Sequence, residues 1–250
     1  MALYDEHAAL YALAFDWDVE EETTWLIERL GPGCQSVLEP GCGPGRHLAA
    51  LGRRVLDVVG LDASPAMVEL ARRRARAAGV NADVVLGDMR DFDLGRPFDG
   101  AVCPINTLAH LRPAELERHL DCMRAHLVAG ARYLVQLDLR EGPSDTAPGE
   151  WQVTGEDMSI RITWTVEDVD IAARREVHRS RIEILTGERS GEVVEELHAM
   201  TVWTPPSWLA ATAAGGFAVA ATYDGDRSGR PVVPTGYPGL LLWHELVRLS

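Results

Sequence analysis

A glycine-rich turn between two apolar segments constrains the fold of this chain more than any other feature. An apolar strand at 36–40 runs into the turn 41–45, which reads GCGPG, and a short helix follows. Glycine adopts positive φ and has no Cβ, so the backbone of this turn can lie flat against a ligand. A second apolar strand, 55–61, is followed by Asp62, whose carboxylate can accept hydrogen bonds from both hydroxyls of a ribose. The segment therefore predicts a nucleoside-binding crevice at the carboxyl ends of parallel strands.

The composition limits the classes of function that the chain can have. Its 250 residues, 46% of them hydrophobic, suffice for one large α/β domain or for a core domain with an elaboration. All 24 basic residues are arginines, which excludes Schiff-base chemistry and the other catalytic uses of lysine. The net charge of −14 opposes a nucleic-acid partner and favours a cationic ligand.

The sequence indicates neither a membrane span nor a secretory signal. No apolar run reaches the roughly 18 residues of a transmembrane helix, and the N-terminus lacks a basic region followed by an apolar one. The four cysteines show neither CxxC spacing nor a disulfide-rich pattern, so we expect reduced thiols in a cytoplasmic protein. The eight histidines show no metal-ligand spacing, and we expect no metal site.

Strand and helix patterns alternate through the first part of the chain, after a segment at 1–31 that is helical in pattern. This alternation predicts right-handed crossovers and a parallel sheet. Ser64 and Pro65 are typical of the N-cap and first position of a helix, and Gly79 is typical of its end. The predicted strands are 36–40, 55–61, 84–86, 98–103 and 132–139, and the predicted helices are 45–52, 65–78 and 113–127.

The pattern changes at the segment 141–150, whose proline, glycine and serine content is typical of a connector. Beyond it, apolar residues such as Ile160 and Ile162 alternate with polar ones, which predicts antiparallel strands with one solvated face. We therefore expect an α/β core at 1–140 and 204–250, helical at its N-terminus, and an antiparallel β insertion at 141–203. The core is completed by a predicted helix at 206–214, strands at 217–223 and 239–247, and a lid loop at 224–238.

Acidic residues around the crevice distinguish between two nucleoside cofactors. The turn lacks the GxGxxG spacing that brings a pyrophosphate onto a helix N-terminus. Glu39 comes just before the turn, where it would repel a pyrophosphate but could lie near an ammonium group. Asp88, after the third strand, is placed to accept a hydrogen bond from an adenine amine. These acids suit a zwitterionic, cationic cofactor better than the dianionic NAD.

Five segments, in order along the chain, resemble the motifs of class I S-adenosylmethionine-dependent methyltransferases. They are VLEPGCGPGRH (37–47), VVGLDASPAMVELAR (58–72), VVLGDMRDF (84–92), FDGAVCPINTLAHL (98–111) and LVAGARYLVQLDL (127–139). Ala131 replaces the usual second glycine of the strand-five turn, a departure that affects packing rather than chemistry. The resemblance implies an α/β fold: a Rossmann-like, doubly wound and mostly parallel seven-stranded sheet, with an antiparallel β-sheet inserted after strand five.

The resemblance also implies that S-adenosylmethionine is the cofactor and that matched positions hold it. Asp62 would bind the ribose diol, Asp88 the adenine amine, and Arg46 the methionine carboxylate. Cys103 would act through its backbone on the methionine amino group, whereas Cys42 is expected to be a small residue in a tight turn. The full set of expected cofactor-binding residues is Tyr11, Glu39, Gly41, Cys42, Gly43, Arg46, Asp62, Ala63, Met67, Asp88, Met89 and Cys103.

Three residues are the candidates for catalysis on the acceptor side: His110, Asn106 and Tyr11. His110 and Asn106 follow strand four, where the substrate should meet the methyl group, and a base with a pKa near 7 such as His110 would help an amine to arrive neutral. His110 could instead be a helix-entry or surface histidine. The resemblance also implies an N-terminal helical cover, because an N-terminal helix commonly folds over the site in small-molecule members of the family, and from it Tyr11 or Tyr4 could cover the sulfonium. Three tryptophans of the insertion belong either to its core or to the substrate pocket: Trp151, Trp164 and Trp203.

The arrangement of the insertion is similar to the roof of small-molecule N-methyltransferases, including those that act on aminosugars. We therefore expect a small-molecule acceptor, an amine, methylated by in-line transfer. Methylation of oxygen or carbon stays open, as do an NAD(P)-dependent oxidoreductase and a non-catalytic cofactor-binding partner subunit. Formation of a homodimer is also left open.

Overall fold

The helices and strands below are those of a computed structural model, which describes residues 2–140, 142, 148–225 and 241–250. The helices are α1 (Ala8–Ala14), α2 (Glu20–Leu30), α3 (Arg46–Leu51), α4 (Pro65–Ala77), α5 (Pro113–Ala125) and α6 (Pro205–Ala214), with 3₁₀ turns at Ala2–Tyr4 and Thr107–His110. The strands are β1 (Ser36–Pro40), β2 (Asp57–Asp62), β3 (Ala82–Leu86), β4 (Phe98–Cys103), β5 (Leu127–Asp138), β6 (Gly149–Thr154), β7 (Ser159–Asp170), β8 (Arg175–Ile184), β9 (Val193–Thr201), β10 (Phe217–Tyr223) and β11 (Leu241–Arg248).

Seven of the strands form one mostly parallel sheet, in the order β10-β11-β5-β4-β1-β2-β3. The pairs among β1 to β5 are parallel, and β11 runs antiparallel to both β5 and β10. The helices α3, α4 and α5 connect β1 to β2, β2 to β3 and β4 to β5, because a parallel pair needs a crossover, whereas a loop leads from β3 to β4. The predicted α/β fold class, with its inserted antiparallel sheet, is confirmed.

The strands β6 to β9 form a separate antiparallel sheet, which we call the roof sheet. Its isoleucines, such as Ile160 and Ile182, pack against Leu3 and Leu10 of the N-terminal segment. Strands with one apolar face must bury that face against another element, and here the N-terminal cover provides it. The domain boundaries at 140 and 204 stay a prediction.

Several predicted boundaries differ from the observed ones. The helical segment expected at 1–31 is divided into a 3₁₀ turn and the helices α1 and α2, and β5 begins at Leu127 rather than at Arg132. The predicted lid at 224–238 lies, from residue 226 onward, outside the described residues. Within the described ranges, no helix is both long and apolar enough to cross a bilayer.

The glycine turn lets α3 approach α4 closely. Gly45 has φ of +77°, and a Cβ placed on it would lie 2.9 Å from the Cα of Ala71 in α4. The amides of Gly41 and Cys42 both donate to the carbonyl of Leu61, at 2.7 and 3.0 Å, which ties the turn to β2. The turn thus depends on glycine for its backbone conformation and for the space between two helices.

We expect Gly45→Ala to lower the free energy of unfolding by about 2–4 kcal/mol, because it combines left-handed backbone strain with overpacking. Gly79→Ala is the matched control: Gly79 also has positive φ, +66°, but a Cβ there would meet nothing within 4 Å. Left-handed strain alone predicts a loss of about 1 kcal/mol for the control. Urea denaturation measures the free energy of unfolding of both variants. Equal losses would show that the close approach to Ala71 does not add to the cost of the substitution.

Candidate active site

A cavity of about 940 Å³ opens at the carboxyl ends of the parallel strands and continues beneath the roof sheet. One part, which we call the turn half, is lined by Gly41, Gly43, Asp62, Ala63, Met67, Asp88 and Met89. The other part, the roof half, is lined by Asn106, His110, Gln136, Asp138, Arg140, Trp151, Trp164, Val166, His178 and Met200. Tyr4 and Tyr11 also line the cavity. Ligands of open α/β sheets bind in this position.

Asp62, at the end of β2, is held in the turn half by backbone amides. Its Oδ2 accepts from the amide of Gly43 at 2.8 Å, and its Oδ1 accepts from the amide of Ser64 at 2.9 Å. Burial raises the pKa of Asp62, opposed by these hydrogen bonds. Each carboxylate oxygen has a second lone pair, so Asp62 can still accept from a diol.

Glu39, at the end of β1, is a buried carboxyl group with an unsatisfied atom. Only 1% of the residue is exposed, and its Oε2 has no hydrogen-bond partner within the described residues. Burial raises its pKa to about 8, against the effect of nearby Arg46. A buried polar atom without a partner is costly, so a cationic donor beside Glu39 would relieve it.

Arg46 already has partners on the N-terminal segment. Its guanidinium donates to the carbonyl of Phe15 and stacks over the ring of Trp17, 3.9 Å from the ring centroid. Burial lowers its pKa to about 10. With Glu39, Cys42 and Tyr11 it lines a small adjoining cavity of about 40 Å³. Its predicted contact with a methionine carboxylate stays a prediction.

Asp88 and Met89 lie at the far end of the turn half. The guanidinium of Arg90 donates to both carboxylate oxygens of Asp88, at 2.9 Å from Nε, and lowers the pKa of that carboxyl. Nδ1 of His119 lies 2.9 Å from the carbonyl of Met89, and since that carbonyl can only accept, His119 donates here. Both residues are thus held from outside the cavity.

The two cysteines named from the sequence have buried side chains. Cys42 packs against the position of Gly60, and burial raises its pKa well above the ordinary value. Cys103 is fully buried, with its Sγ 3.6 Å from the carbonyl of Pro40, and it does not line the cavity. Its predicted backbone role stays a prediction.

The loop after β4 has a strained backbone that β5 holds in place. Ile105 and Asn106 both have φ of +56°, a conformation that is rare for β-branched residues in particular. The side-chain Oε1 of Gln136 accepts from the amide of Ile105 at 2.8 Å. The backbone oxygen of Gln136 accepts from the amide of Asn106 at 3.1 Å. Oδ1 of Asn106 accepts from the amide of Asp138 at 3.1 Å. Asn106 therefore fixes the loop against β5; its predicted catalytic role stays a prediction.

His110 lies in the roof half beside Tyr4, and its pKa differs from the expected value near 7. Its Nε2 is 3.4 Å from the hydroxyl of Tyr4. Burial first, and then the neighbouring imidazoles of His198 and His178, lower the pKa of His110 to about 4. The expectation of a pKa near 7 was wrong, because the sequence does not show how deeply the ring is buried. His110 is a neutral hydrogen-bonding group at physiological pH.

Tyr4 and Tyr11 both cover the cavity from the N-terminal segment. Their rings meet edge to face at a centroid distance of 5.0 Å, and Tyr11 stacks on Phe15 at 4.5 Å. Burial raises the pKa of Tyr11 to about 12 and that of Tyr4 well above its ordinary value, so both phenols are neutral. Of the three tryptophans, Trp151 and Trp164 line the roof half, whereas Trp203 is buried in the core.

Sequence reasoning missed a group of charged residues in the roof half. We call Asp138, Arg140, Glu176 and His178 the β5–β8 charge cluster. Arg140 lies between the two carboxylates, with Nη2 at 3.0 Å from Oδ2 of Asp138 and Nε at 2.9 Å from Oε2 of Glu176. The available signal was the alternation of Gln136, Asp138 and Arg140 with leucines at the carboxyl end of a buried parallel strand, where ligands bind.

The comparisons with known proteins agree with this geometry. Residues 37–130 match the family model described as a methyltransferase domain. The dTDP-3-amino-3,6-dideoxy-alpha-D-glucopyranose N,N-dimethyltransferase of Streptomyces fradiae is 33% identical over 221 residues, which are 86% of this chain and 81% of that one. The dTDP-3-amino-3,4,6-trideoxy-alpha-D-glucopyranose N,N-dimethyltransferase of Streptomyces venezuelae is 29% identical over 236 residues, 90% of this chain and 95% of that one.

A solved structure extends the likeness over nearly the whole chain. The S-adenosylmethionine-bound amino pentose methyltransferase of Micromonospora echinaspora superposes with a TM-score of 0.73 at 26% identity, covering 96% of each chain. The predicted enzyme class and cofactor are thereby confirmed. From its motifs, its sheet order and these relatives, the chain belongs to the class I S-adenosylmethionine-dependent methyltransferases.

Proposed function

We propose that this enzyme transfers methyl groups to the amino nitrogen of a nucleotide-linked deoxysugar. The observation that carries the proposal is that the likeness to amino-sugar methyltransferases extends over the roof sheet. A match covering 96% of the chain must include most of β6 to β9, which line the roof half. The family model, which ends at residue 130, lies before the roof and carries no information on the acceptor.

The turn half fits S-adenosylmethionine by the chemistry of its groups. Gly41 and Gly43 leave the backbone open to a ligand, and Asp62 keeps lone pairs for a ribose diol. In the small adjoining cavity, the Oε2 of Glu39, which has no partner among the described residues, suits the ammonium of the methionine part. When bound, the cofactor supplies an electrophilic methyl group on a sulfonium. The chain therefore needs no nucleophile of its own.

The roof half offers groups that bind and orient a sugar amine. The rings of Trp151 and Trp164 present flat apolar faces, and the pair of His110 and Tyr4 presents neutral hydrogen-bonding atoms. Alignment of reacting groups alone contributes up to about 10 kcal/mol to such a reaction. Closure by the N-terminal cover would keep water from the methyl donor.

Location and assembly belong to the same proposal. A cytoplasmic enzyme without a nucleic-acid partner accords with the net charge of −14 and the free cysteines among the described residues. A homodimer stays open, and light scattering of the purified protein would decide it.

The acceptor atom is tested with a matched pair of nucleotide sugars. We expect dTDP-3-amino-3,6-dideoxyglucose to gain one and then two methyl groups, and the analogue with a 3-hydroxyl to gain none, because only the amine offers a basic lone pair. Mass spectrometry of the products measures both. Comparable methylation of the hydroxyl sugar would contradict the proposed N-methylation.

Asp62→Ala should weaken binding of S-adenosylhomocysteine by about 1–3 kcal/mol, since the ribose diol loses its acceptor. Asp91→Ala is the control, because Asp91 is an exposed acid of the same region. Calorimetry measures both affinities, and thermal unfolding checks that the turn, which Asp62 also holds, stays folded. Equal affinities for both variants would remove Asp62 from the cofactor site.

His110→Ala should lower kcat by about 10- to 100-fold while the affinity for S-adenosylhomocysteine changes little, because His110 lies in the roof half. Since the pKa of His110 is about 4, the ring is already neutral at pH 6, and its loss should not change the shape of the rate profile between pH 6 and 9. If the wild-type rate rises near pH 7 and this rise is absent in His110→Ala, the assignment of His110 as a neutral group would be contradicted.

A further inference from the structure

The β5–β8 charge cluster contains more negative than positive charge. Nε1 of Trp164 donates to Nδ1 of His178 at 2.8 Å, so Nδ1 carries no proton. The proton of His178 is therefore on Nε2, which lies 2.9 Å from Oε1 of Glu176, and the imidazole is neutral. This leaves the single guanidinium of Arg140 between the carboxyl groups of Asp138 and Glu176.

The cluster also has fewer hydrogen bonds than its atoms require. Arg140 and Glu176 are close enough for an ion pair but are not aligned as a hydrogen bond, so Arg140 Nε and Glu176 Oε2 have no hydrogen-bond partner among the described residues. Asp138 Oδ1 and Arg140 Nη1 likewise have no hydrogen-bond partner in the described part of the chain. Such atoms are costly when buried, and these side chains are 8% or less exposed.

Asp138 is the carboxyl group of the cluster that meets the cavity. It lines the roof half together with Arg140 and His178, whereas Glu176 lies behind them and does not line the cavity. Asp138 also ends β5, one strand beyond β4 on the side away from the turn half. The surplus negative charge therefore faces the space in which an acceptor would lie.

We propose that Asp138 binds the acceptor as an ammonium ion and accepts its proton, so that the nitrogen enters methyl transfer with a free lone pair. This inference rests on the proposed amine acceptor. The proton moves from the nitrogen to a carboxylate oxygen of Asp138, and the electron pair of the N–H bond stays on the nitrogen. That pair forms the new N–C bond, while the pair of the S–C bond leaves with the sulfur.

The electrostatics of the cavity suit this exchange. Burial raises the pKa of Asp138 to about 7; Arg140 opposes this rise and Glu176 adds to it. A base of this strength both takes up and releases a proton near neutral pH, which His110, with a pKa of about 4, does not. Among the described residues, the charged and titratable groups that act on Asp138 are Arg140, two residues beyond the end of β5, and Glu176 and His178 on β8. His110 in the 3₁₀ turn and Asp224 after β10 line the same cavity.

Calorimetry tests the binding step without turnover. Enzyme saturated with S-adenosylhomocysteine is titrated with dTDP-3-amino-3,6-dideoxyglucose at pH 7 in two buffers of different ionisation enthalpy. Because the pKa of Asp138 lies near neutral, part of the free enzyme carries a proton on Asp138 at pH 7 and loses it when the ammonium binds. We expect release of a measurable fraction of a proton by the wild type and none by Asp138→Asn, which also binds at least 10-fold more weakly. Equal proton release by both proteins would overturn the inference.

Steady-state rates test the proton transfer. We expect Asp138→Asn to lower kcat by about 100-fold at pH 7, with unchanged affinity for S-adenosylhomocysteine, and Asp138→Glu to recover part of the loss. The wild-type rate should rise between pH 6 and 8 as Asp138 loses its proton, and Asp138→Asn should lack this rise. Glu176→Gln should instead keep the rise and shift it to lower pH, since Glu176 raises the pKa of Asp138.

The outcomes separate this inference from the proposed function. If Asp138 only holds Arg140 in place, Asp138→Asn and Glu176→Gln will lose activity alike and neither will change the pH of the rise, which overturns the inference. If the wild type methylates the amine and Asp138→Asn matches it, the inference also falls while the proposed function stands. If the wild type methylates no amine, both fall. Should Asp138→Asn fail to fold, Glu176→Gln decides: a rate rise shifted to lower pH supports the inference, and an unshifted rise overturns it.

Discussion

The carboxylate of Asp62 holds together the backbone on which the cofactor site depends. It accepts amides from two separate segments, Gly43 in the glycine turn and Ser64 at the start of α4. The turn is further tied to β2 through the carbonyl of Leu61. One side chain thus joins the turn after β1 to the start of α4, and the same side chain lines the cavity. Structure and binding are inseparable at this position.

The roof sheet turns this cofactor site into a site for two substrates. The two sheets are joined where Leu139 pairs with Trp203 and where the amide of Arg140 donates to the carbonyl of Trp203 at 2.8 Å. The β5–β8 charge cluster crosses the same junction. The roof half is lined by the neutral rings of His110 and Tyr4 and by the carboxyl group of Asp138, a combination that suits an amine. A cationic ligand also accords with the net negative charge of the chain.

Local sequence features predicted much of the fold and of the turn half. Features that depend only on neighbouring residues could be predicted from the sequence: the glycine turn, Asp62, and the start of α4 at Ser64-Pro65. The side chain of Ser64 does accept from the amide of Met67, as an N-cap does. The alternating pattern likewise predicted the roof sheet.

The roof half could not be predicted in the same way. Asp138 and His178 are forty residues apart in the chain, and only the packing of two sheets brings them to one cavity. The pKa of His110 depends on its burial and on the neighbouring His198 and His178, and the contacts of Arg46 depend on where Phe15 lies. These properties come from tertiary structure, which a pattern of residue types does not record.

A crystal structure of the enzyme with S-adenosylhomocysteine and dTDP-3-amino-3,6-dideoxyglucose would show where both ligands bind. We expect the cofactor product in the turn half, with its ribose hydroxyls on Asp62. We expect the sugar in the roof half, with its nitrogen about 3 Å from a carboxylate oxygen of Asp138. A sugar bound outside the roof half, or one that turns a hydroxyl rather than the nitrogen toward the sulfur, would contradict this expectation.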